Sequence, residues 1–221
     1  DLLWRIEQSA LDRVVSRMRT DHKRIEHLDF ACGTGRVVGH LAGQVDGSSG
    51  IDIAAPMLEY ARKAAPSATI VHGDLTTDER LTPGPFDLIT AFRFILNAEP
   101  GLRVRAMRAL VARLRDESSL IVFNNHGNPW SHKALLWPVH ALRRKGKGYL
   151  SEGNYMTHGQ VMQLAEEAGL RIISRYGYGH VGAKAQRLLP FKAALGLDRM
   201  MAGVWGLQRL GVNQLYIAKK A

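Results

Sequence analysis

Apolar side chains recur at helical spacing from the start of the chain. Leu3, Ile6, Leu11, Val14, Val15 and Met18 share one face of a 3.6-residue turn, so residues 1–20 predict an amphipathic helix. Residues 25–30 then predict a strand, with Leu28 and Phe30 on one face. Gly33 and Gly35 follow, leading into a helix over 36–45. A second strand is expected over 49–53, with Asp52 near its end, then a helix with Pro56 in its first turn running to about 65. A third strand covers 69–72 and closes at Gly73-Asp74.

Pro83-Gly84-Pro85 reads as a turn. The apolar run 86–92 predicts a strand buried on both faces, followed by a helix over 102–114 and a fifth strand over 119–124. Later come a helix over 157–168 stopped at Gly169, a strand over 170–176, and a last strand over 213–218. Strands and helices alternating at this interval predict an α/β fold: a doubly wound, mostly parallel sheet with helices on both faces. All 221 residues are expected to form one domain. Two long connections, 127–156 and 177–211, interrupt the alternation and are expected to form a helical basic cap, with helical pieces over 133–144 and 191–210.

Composition bounds the class. A chain of 221 residues with 46% hydrophobic content can bury a core and is not a disordered segment. One cysteine makes no internal disulfide and no zinc-type spacing is present, which fits a reducing cytoplasm. No apolar run is long enough to span a bilayer. The chain begins at Asp1 without a Met, which leaves room for a native segment ahead of it. The net charge of +10 is unevenly placed: residues 1–126 carry 16 basic and 16 acidic side chains, residues 127–221 carry 14 and 4. A basic half of this kind concentrates anions, so an acidic acceptor, an anionic membrane face or nucleic acid are the partners it admits. A solvated basic surface is the plain alternative.

The strongest chemical signal is Asp29-Phe30-Ala31-Cys32-Gly33-Thr34-Gly35-Arg36, set between a predicted strand and a predicted helix. Glycines there let a ligand approach the backbone, and the helix start offers free N–H groups. Asp52 and Asp74 stand at the ends of the next two strands, where carboxylates can accept from ribose hydroxyls and from an exocyclic amine. Gly33-x-Gly35-x-x-x-Gly39 is also close to a dinucleotide fingerprint. Asp29 just before the turn, and Asp74, have no evident job in such a site.

This constellation resembles the class I S-adenosylmethionine-dependent methyltransferases over about residues 25–126, and the Ala-Cys-Gly-Thr-Gly form resembles quinone-biosynthesis-like members that act on small molecules. Ala31 replaces the first glycine of the commonest pattern. The resemblance implies a Rossmann-like fold and S-adenosylmethionine as cofactor. It implies that Gly33 and Gly35 pack under the methionine part, that Asp29, Ala31, Cys32, Thr34 and Arg36 also belong to the cofactor site, and that Asp52 holds the ribose. Ile53 and Met57 would flank the adenine, Asp74 and Leu75 would read it, and Phe92 and Arg93 would wall the sulfonium end.

Methyl transfer to an alcohol needs a general base, and His126, just after the fifth strand, is the first candidate; His132, Tyr155 and His158 follow. Arg93 is a second candidate for the reaction, binding the cofactor carboxylate or an anionic acceptor, with an ion pair to Glu99 as its structural alternative. Asn97, Asn124 and Asn125 could orient polar groups, and Cys32 reads as a small apolar filler. No metal site is expected. The fourth strand ends Ala91-Phe92-Arg93-Phe94, without the Asn/Asp-Pro-Pro-aromatic run of enzymes that methylate base amines. The expected activity is therefore O-methylation of a small, lipid-linked or glycan-linked anionic acceptor, at the inner membrane surface if the basic segment 133–147 touches lipid. The alternatives are an RNA methyltransferase using the basic half, or a binding protein that holds the cofactor without turning it over. The apolar stripe over 191–210 is expected to pack against the domain, or to form a dimer face.

Overall fold

Strands whose residues are apolar on both faces need cover on both faces, and the chain supplies it. The computed structural model describes residues 1–21, 24–78, 80–82, 84–131, 155–181, 188–204 and 206–221. Helix α1 (Leu2–Asp21) precedes strand β1 (Glu26–Phe30), helix α2 (Arg36–Leu41), β2 (Gly47–Asp52), α3 (Ala55–Ala64) and β3 (Thr69–His72). Then follow β4 (Leu88–Ala91), α4 (Pro100–Ala112), β5 (Leu120–Asn125), α5 (His158–Glu167), β6 (Leu170–Tyr178), α6 (Phe191–Gly203), a 3-10 turn (Leu207–Leu210) and β7 (Asn213–Lys220). The seven strands form one sheet in the order β3-β2-β1-β4-β5-β7-β6.

Five strands pair in parallel, as the alternation predicts; β7 runs antiparallel to both β5 and β6. The chain leaves β6 at the carboxyl edge of the sheet and returns from that same edge, so the returning strand must run the other way. Successive residues of a strand feed opposite layers. Ile121 and Phe123 join the core beneath α4 and α5, while Val122 between them joins the core beneath α1 and α2. Both layers are built of buried apolar side chains, which gives three layers, α/β/α.

Differences from the sequence reading have local causes. Helix α2 stops at Leu41 rather than 45, where Gly43 costs about 1 kcal/mol relative to alanine in a helix. Strand β4 is only four residues, because Phe86 makes an isolated bridge to Leu114 and Arg93 turns to φ 58°. The stretch 191–210 is not one helix: it breaks after Gly203, and Gly206 adopts φ 94°, which no α-helix accommodates. Within the expected cap, residues 132–154, 182–187 and 205 lie outside the described residues, and with them the predicted helix over 133–144 and the basic segment 133–147; Pro83 of the expected turn lies outside them too. Among the described residues, no helix is long and apolar enough to cross a membrane.

One close approach fixes the layer beside β1. A Cβ on Gly35 would lie 2.7 Å from the Ala61 Cα, and one on Gly39 would lie 2.8 Å from the Ala64 carbonyl oxygen. The glycine spacing therefore serves the packing of α2 on α3 and draws both helices against the turn.

Candidate functional site

The turn after β1 is tied down by its own backbone and by one carboxylate. The Cys32 amide donates to the Ile51 carbonyl at 3.1 Å, and the Gly35 amide to the Cys32 carbonyl at 2.9 Å. Asp52, at the end of β2, accepts from the Gly33 amide through Oδ2 and from the Ala54 amide through Oδ1, both at 2.8 Å. Each carboxylate oxygen offers two lone pairs, so Asp52 anchors the turn and keeps acceptor capacity for a ligand hydroxyl. Ala31 opens the turn at φ 54°, a conformation glycine adopts at no cost and alanine does not.

The turn floors a cavity of about 620 Å³ at the carboxyl ends of β1, β2 and β4. Such a volume suits a nucleoside-sized ligand. Every residue proposed for the cofactor except Gly35 and Leu75 contributes to its wall. Gly35 lies beneath the turn against Ala61, and the Leu75 side chain is in the core. At one end stand Asp52, Asp74, Ile53 and Met57. Ile53 is 71% exposed and Met57 48%, an open apolar flank beside two carboxylates. Asp74 spends Oδ1 on the Thr76 amide at 2.8 Å and the Thr76 hydroxyl at 2.7 Å, and no protein donor engages Oδ2 among the described residues.

The wall also carries Arg93, Phe94, Asn97, Ala98 and Leu102. Arg93 is exposed at a left-handed φ of 58°. Its amide donates to Asn124 Oδ1 at 2.6 Å, and its carbonyl accepts from Asn97 Nδ2 at 2.6 Å. No acid, Glu99 included, pairs with its guanidinium among the described residues. Phe94 meets Phe30 edge to face at 4.8 Å. Two backbone outliers, Ala31 and Arg93, thus face one cavity, as strained residues at binding sites often do.

Two buried polar chains support the wall. In one, His27 contacts the Ser48 hydroxyl through Nδ1 and the Thr90 hydroxyl through Nε2, both at 2.9 Å; Thr90 donates to Asp29 Oδ1 at 2.7 Å, and Asp29 Oδ2 accepts from the Val38 amide at 3.1 Å. Burial pushes the Asp29 carboxyl up to about 7 and the His27 imidazole down to about 3. Burial likewise raises the Cys32 thiol to about 12, so it stays protonated, as a filler would. In the second chain, Tyr178 donates to Glu7 Oε1 at 2.6 Å, and Asn124 Nδ2 contacts Glu7 Oε1 at 3.2 Å and the Tyr178 oxygen at 3.3 Å. Arg36 completes it, 3.2 Å from Glu7 Oε2 and 4.6 Å over the Trp4 ring.

Glu7 and Tyr178 were not singled out from the sequence. A signal existed for Glu7: a charged residue flanked by Leu3, Leu11 and Val14 on the apolar face of α1. Tyr178 gave none, since its partner is 171 residues away.

The proposed base is not in the wall. His126 follows β5, half-buried, outside the cavity lining. His158 contacts the Tyr216 hydroxyl at 3.2 Å and stacks on that ring, and burial lowers its imidazole further. Tyr155 does not line the cavity, and His132 lies outside the described residues. Asn125 is spent on the Met156 carbonyl. Among the described residues no three His, Cys, Asp or Glu side chains cluster as metal ligands.

Residues 28–117, which contain the turn, both strand-end carboxylates and Arg93, match the family described as a methyltransferase domain. That stretch is similar to a methyltransferase domain. A magnesium protoporphyrin IX methyltransferase from Synechocystis, solved with bound S-adenosylhomocysteine, superposes with a TM-score of 0.64 at 15% identity, covering 97% of this chain and 84% of that one. A TehB-like S-adenosylmethionine-dependent methyltransferase from Corynebacterium glutamicum gives 0.58 at 20% identity, covering 94% and 86%. At these identities the likeness is one of fold. In sequence, the chain is 37% identical over 68 residues to a dTDP-3-amino-3,6-dideoxy-alpha-D-glucopyranose N,N-dimethyltransferase from Streptomyces fradiae. That match covers 31% of this chain and 27% of the relative, so the shared part is a fraction of the whole protein.

Proposed function

We propose that the chain transfers the methyl group of S-adenosylmethionine to a small acceptor that bears negative charge. The carrying observation is Asp52, which fixes the Gly33 amide while retaining acceptor capacity beside the open Ile53–Met57 flank. The donor set fits the cofactor: carboxylate acceptors for hydroxyls and an amine at one end, an apolar flank for a ring, and cationic Arg36 and Arg93 elsewhere on the wall. When bound, S-adenosylmethionine supplies a methyl group already activated on a sulfonium. The protein's work is then to bind, orient and exclude water. Asp52 would accept from the ribose, Asp74 Oδ2 would accept from the adenine amine, and Ile53 and Met57 would cover the ring. Arg93, held in place by Asn124, attracts the anionic part of the acceptor.

The finer readings follow from particular residues. The Ala31-to-Gly35 form supports a place among quinone-biosynthesis-like enzymes that act on small molecules. Oxygen is the acceptor atom if a base reaches the cavity, and His126, one residue beyond β5, is the candidate that would carry the proton away. A second reading, methyl transfer to nitrogen, is favoured by a specific observation: the described wall holds no histidine or lysine, and a neutral amine needs no base. The Streptomyces relative, by its name, dimethylates an amine on a nucleotide-linked sugar, which is a small anionic acceptor.

Calorimetry with S-adenosylhomocysteine tests the cofactor half, and saturable binding lost in Asp52→Ala is the expected result. Mass spectrometry of a panel of anionic hydroxyl and amino compounds then reads the acceptor atom. Absent binding sinks the whole reading; binding without any methylated product leaves a cofactor-binding protein in its place.

A further inference from the structure

Helix α6 is turned the wrong way for a helix that only packs. Its buried positions are Ala194, Asp198 and Ala202. Asp198 is sealed in the protein, where Oδ1 accepts from the Gly179 amide at 3.0 Å and Oδ2 from the Val181 amide at 3.2 Å. This clamp fixes the rotation of the helix and leaves Leu197, Met200 and Val204 outward, while Leu195 and Met201 are half-buried and Leu195 packs on the core. Leu197, Met200 and Val204 are exposed, Met200 by 61%. The stripe expected to pack against the domain is therefore largely open to solvent, because the small residues and one acid take the inner face.

The apolar surface continues past the helix. Leu188 ahead of α6 is 86% exposed, and Leu210 in the adjoining 3-10 turn is also exposed. Asn128 Nδ2 donates to the Arg209 and Gly211 carbonyls at 2.7 and 2.8 Å, which brings the segment carrying exposed Trp130 to that same turn. Within residues 188–210 the exposed charges are of one sign, Lys192 and Arg199 on one flank of α6 and Arg209 in the turn, and the one acid of that span, Asp198, is buried. This surface lies at the carboxyl edge of the sheet, between the end of β6 and the start of β7, the edge on which the cavity opens.

We propose that this face docks on an anionic lipid bilayer, with Leu197, Met200, Val204 and Leu210 entering the headgroup boundary and Lys192, Arg199 and Arg209 meeting the lipid phosphates. An outward apolar stripe with a cationic flank is the composition of a helix that lies in a membrane interface, and an exposed indole sits well at that depth. Charge selects lipid over a second copy of this chain, which would bring the same positive face and share the +10 net charge. Exposed leucine, methionine and valine select lipid over nucleic acid, whose backbone offers them nothing. The inference rests on this surface and is independent of the methyltransferase reading.

Flotation of the full chain with vesicles, in the absence of cofactor, tests it. The chain is expected to float with phosphatidylcholine vesicles containing phosphatidylglycerol and much less with phosphatidylcholine alone. Leu197→Ser combined with Met200→Ser should cut partitioning roughly tenfold, as loss of two inserted apolar side chains implies. Lys192→Gln combined with Arg199→Gln should cut it by a similar factor and flatten the dependence on phosphatidylglycerol. Both pairs are exposed, and an unchanged unfolding transition confirms that the fold survives. Equal flotation of wild type and the serine pair, with salt alone abolishing both, overturns the proposal in favour of a basic surface only. A dimer in light scattering that the serine pair dissolves overturns it in favour of self-association.

Discussion

The Asn124 side chain holds Arg93: its Oδ1 accepts from the Arg93 amide at 2.6 Å while Arg93 sits at φ 58°. The other end of the same amide reaches Glu7 and Tyr178, so one buried residue couples a strained cavity residue to helix α1 and to the end of β6. Asn124→Ala leaves that amide and two buried oxygens short of a partner. A loss of about 1–3 kcal/mol is expected in denaturant unfolding, with weaker acceptor recognition by Arg93. Wild-type stability in the variant would show that the network does not hold the turn.

Asp52→Ala removes the acceptor for the Gly33 and Ala54 amides together with the ribose partner. Affinity for S-adenosylhomocysteine should fall about tenfold or more, about 1.4 kcal/mol, by calorimetry. Asp52→Asn should also bind poorly, because one amide nitrogen would face a backbone N–H. Undiminished affinity in both variants would remove the carboxylate from the site.

The two ends of the turn should respond oppositely to exchange between alanine and glycine. Gly35→Ala puts a Cβ 2.7 Å from the Ala61 Cα at φ 82°, so the variant should lose at least about 1–2 kcal/mol and bind cofactor poorly. Ala31→Gly relieves a left-handed alanine and should gain up to about 1 kcal/mol after the entropy of the unfolded glycine is subtracted. Melting temperatures of the two variants, measured side by side, check the signs.

Burial gives Asp29 and His27 opposite pH dependences. The Asp29 carboxyl rises from 3.8 to about 7, so the unfolded chain ionises first and stability falls as pH rises from about 4 to about 7. The His27 imidazole falls from 6.5 to about 3, so the unfolded chain takes up a proton first and stability falls as pH drops from about 6.5 towards 3. Between about pH 4 and 6.5 the two slopes oppose and offset each other, so Asp29→Asn should expose stability that falls toward acid and His27→Gln stability that falls toward neutral pH, in denaturant titrations at a series of pH values. Slopes unchanged from wild type would mean that neither group is held as described.

The alternation of strands and helices, the glycine turn and the strand-end acids were legible because each is written locally. Asp29, Asp52 and Asp74 close or follow strands by their position in the chain, and a parallel sheet places all such ends on one edge. The outward rotation of α6 was not legible, because its apolar spacing is the same whichever face turns inward. What decided it is the contact of Asp198 with two amides at the end of β6, 17 and 19 residues earlier in the chain.

The sequence by itself thus determined the alternation of elements, the acids at the strand ends and the bend that floors the cavity, since helix and strand periodicity, glycine conformation and chain order act over a few residues. Only the tertiary structure decided that Glu7 lies under Arg36 and Asn124, that His126 stands outside the cavity wall, and which side of α6 meets water. These depend on which distant groups must satisfy one another once water is excluded, and burial leaves a polar group no alternative partner.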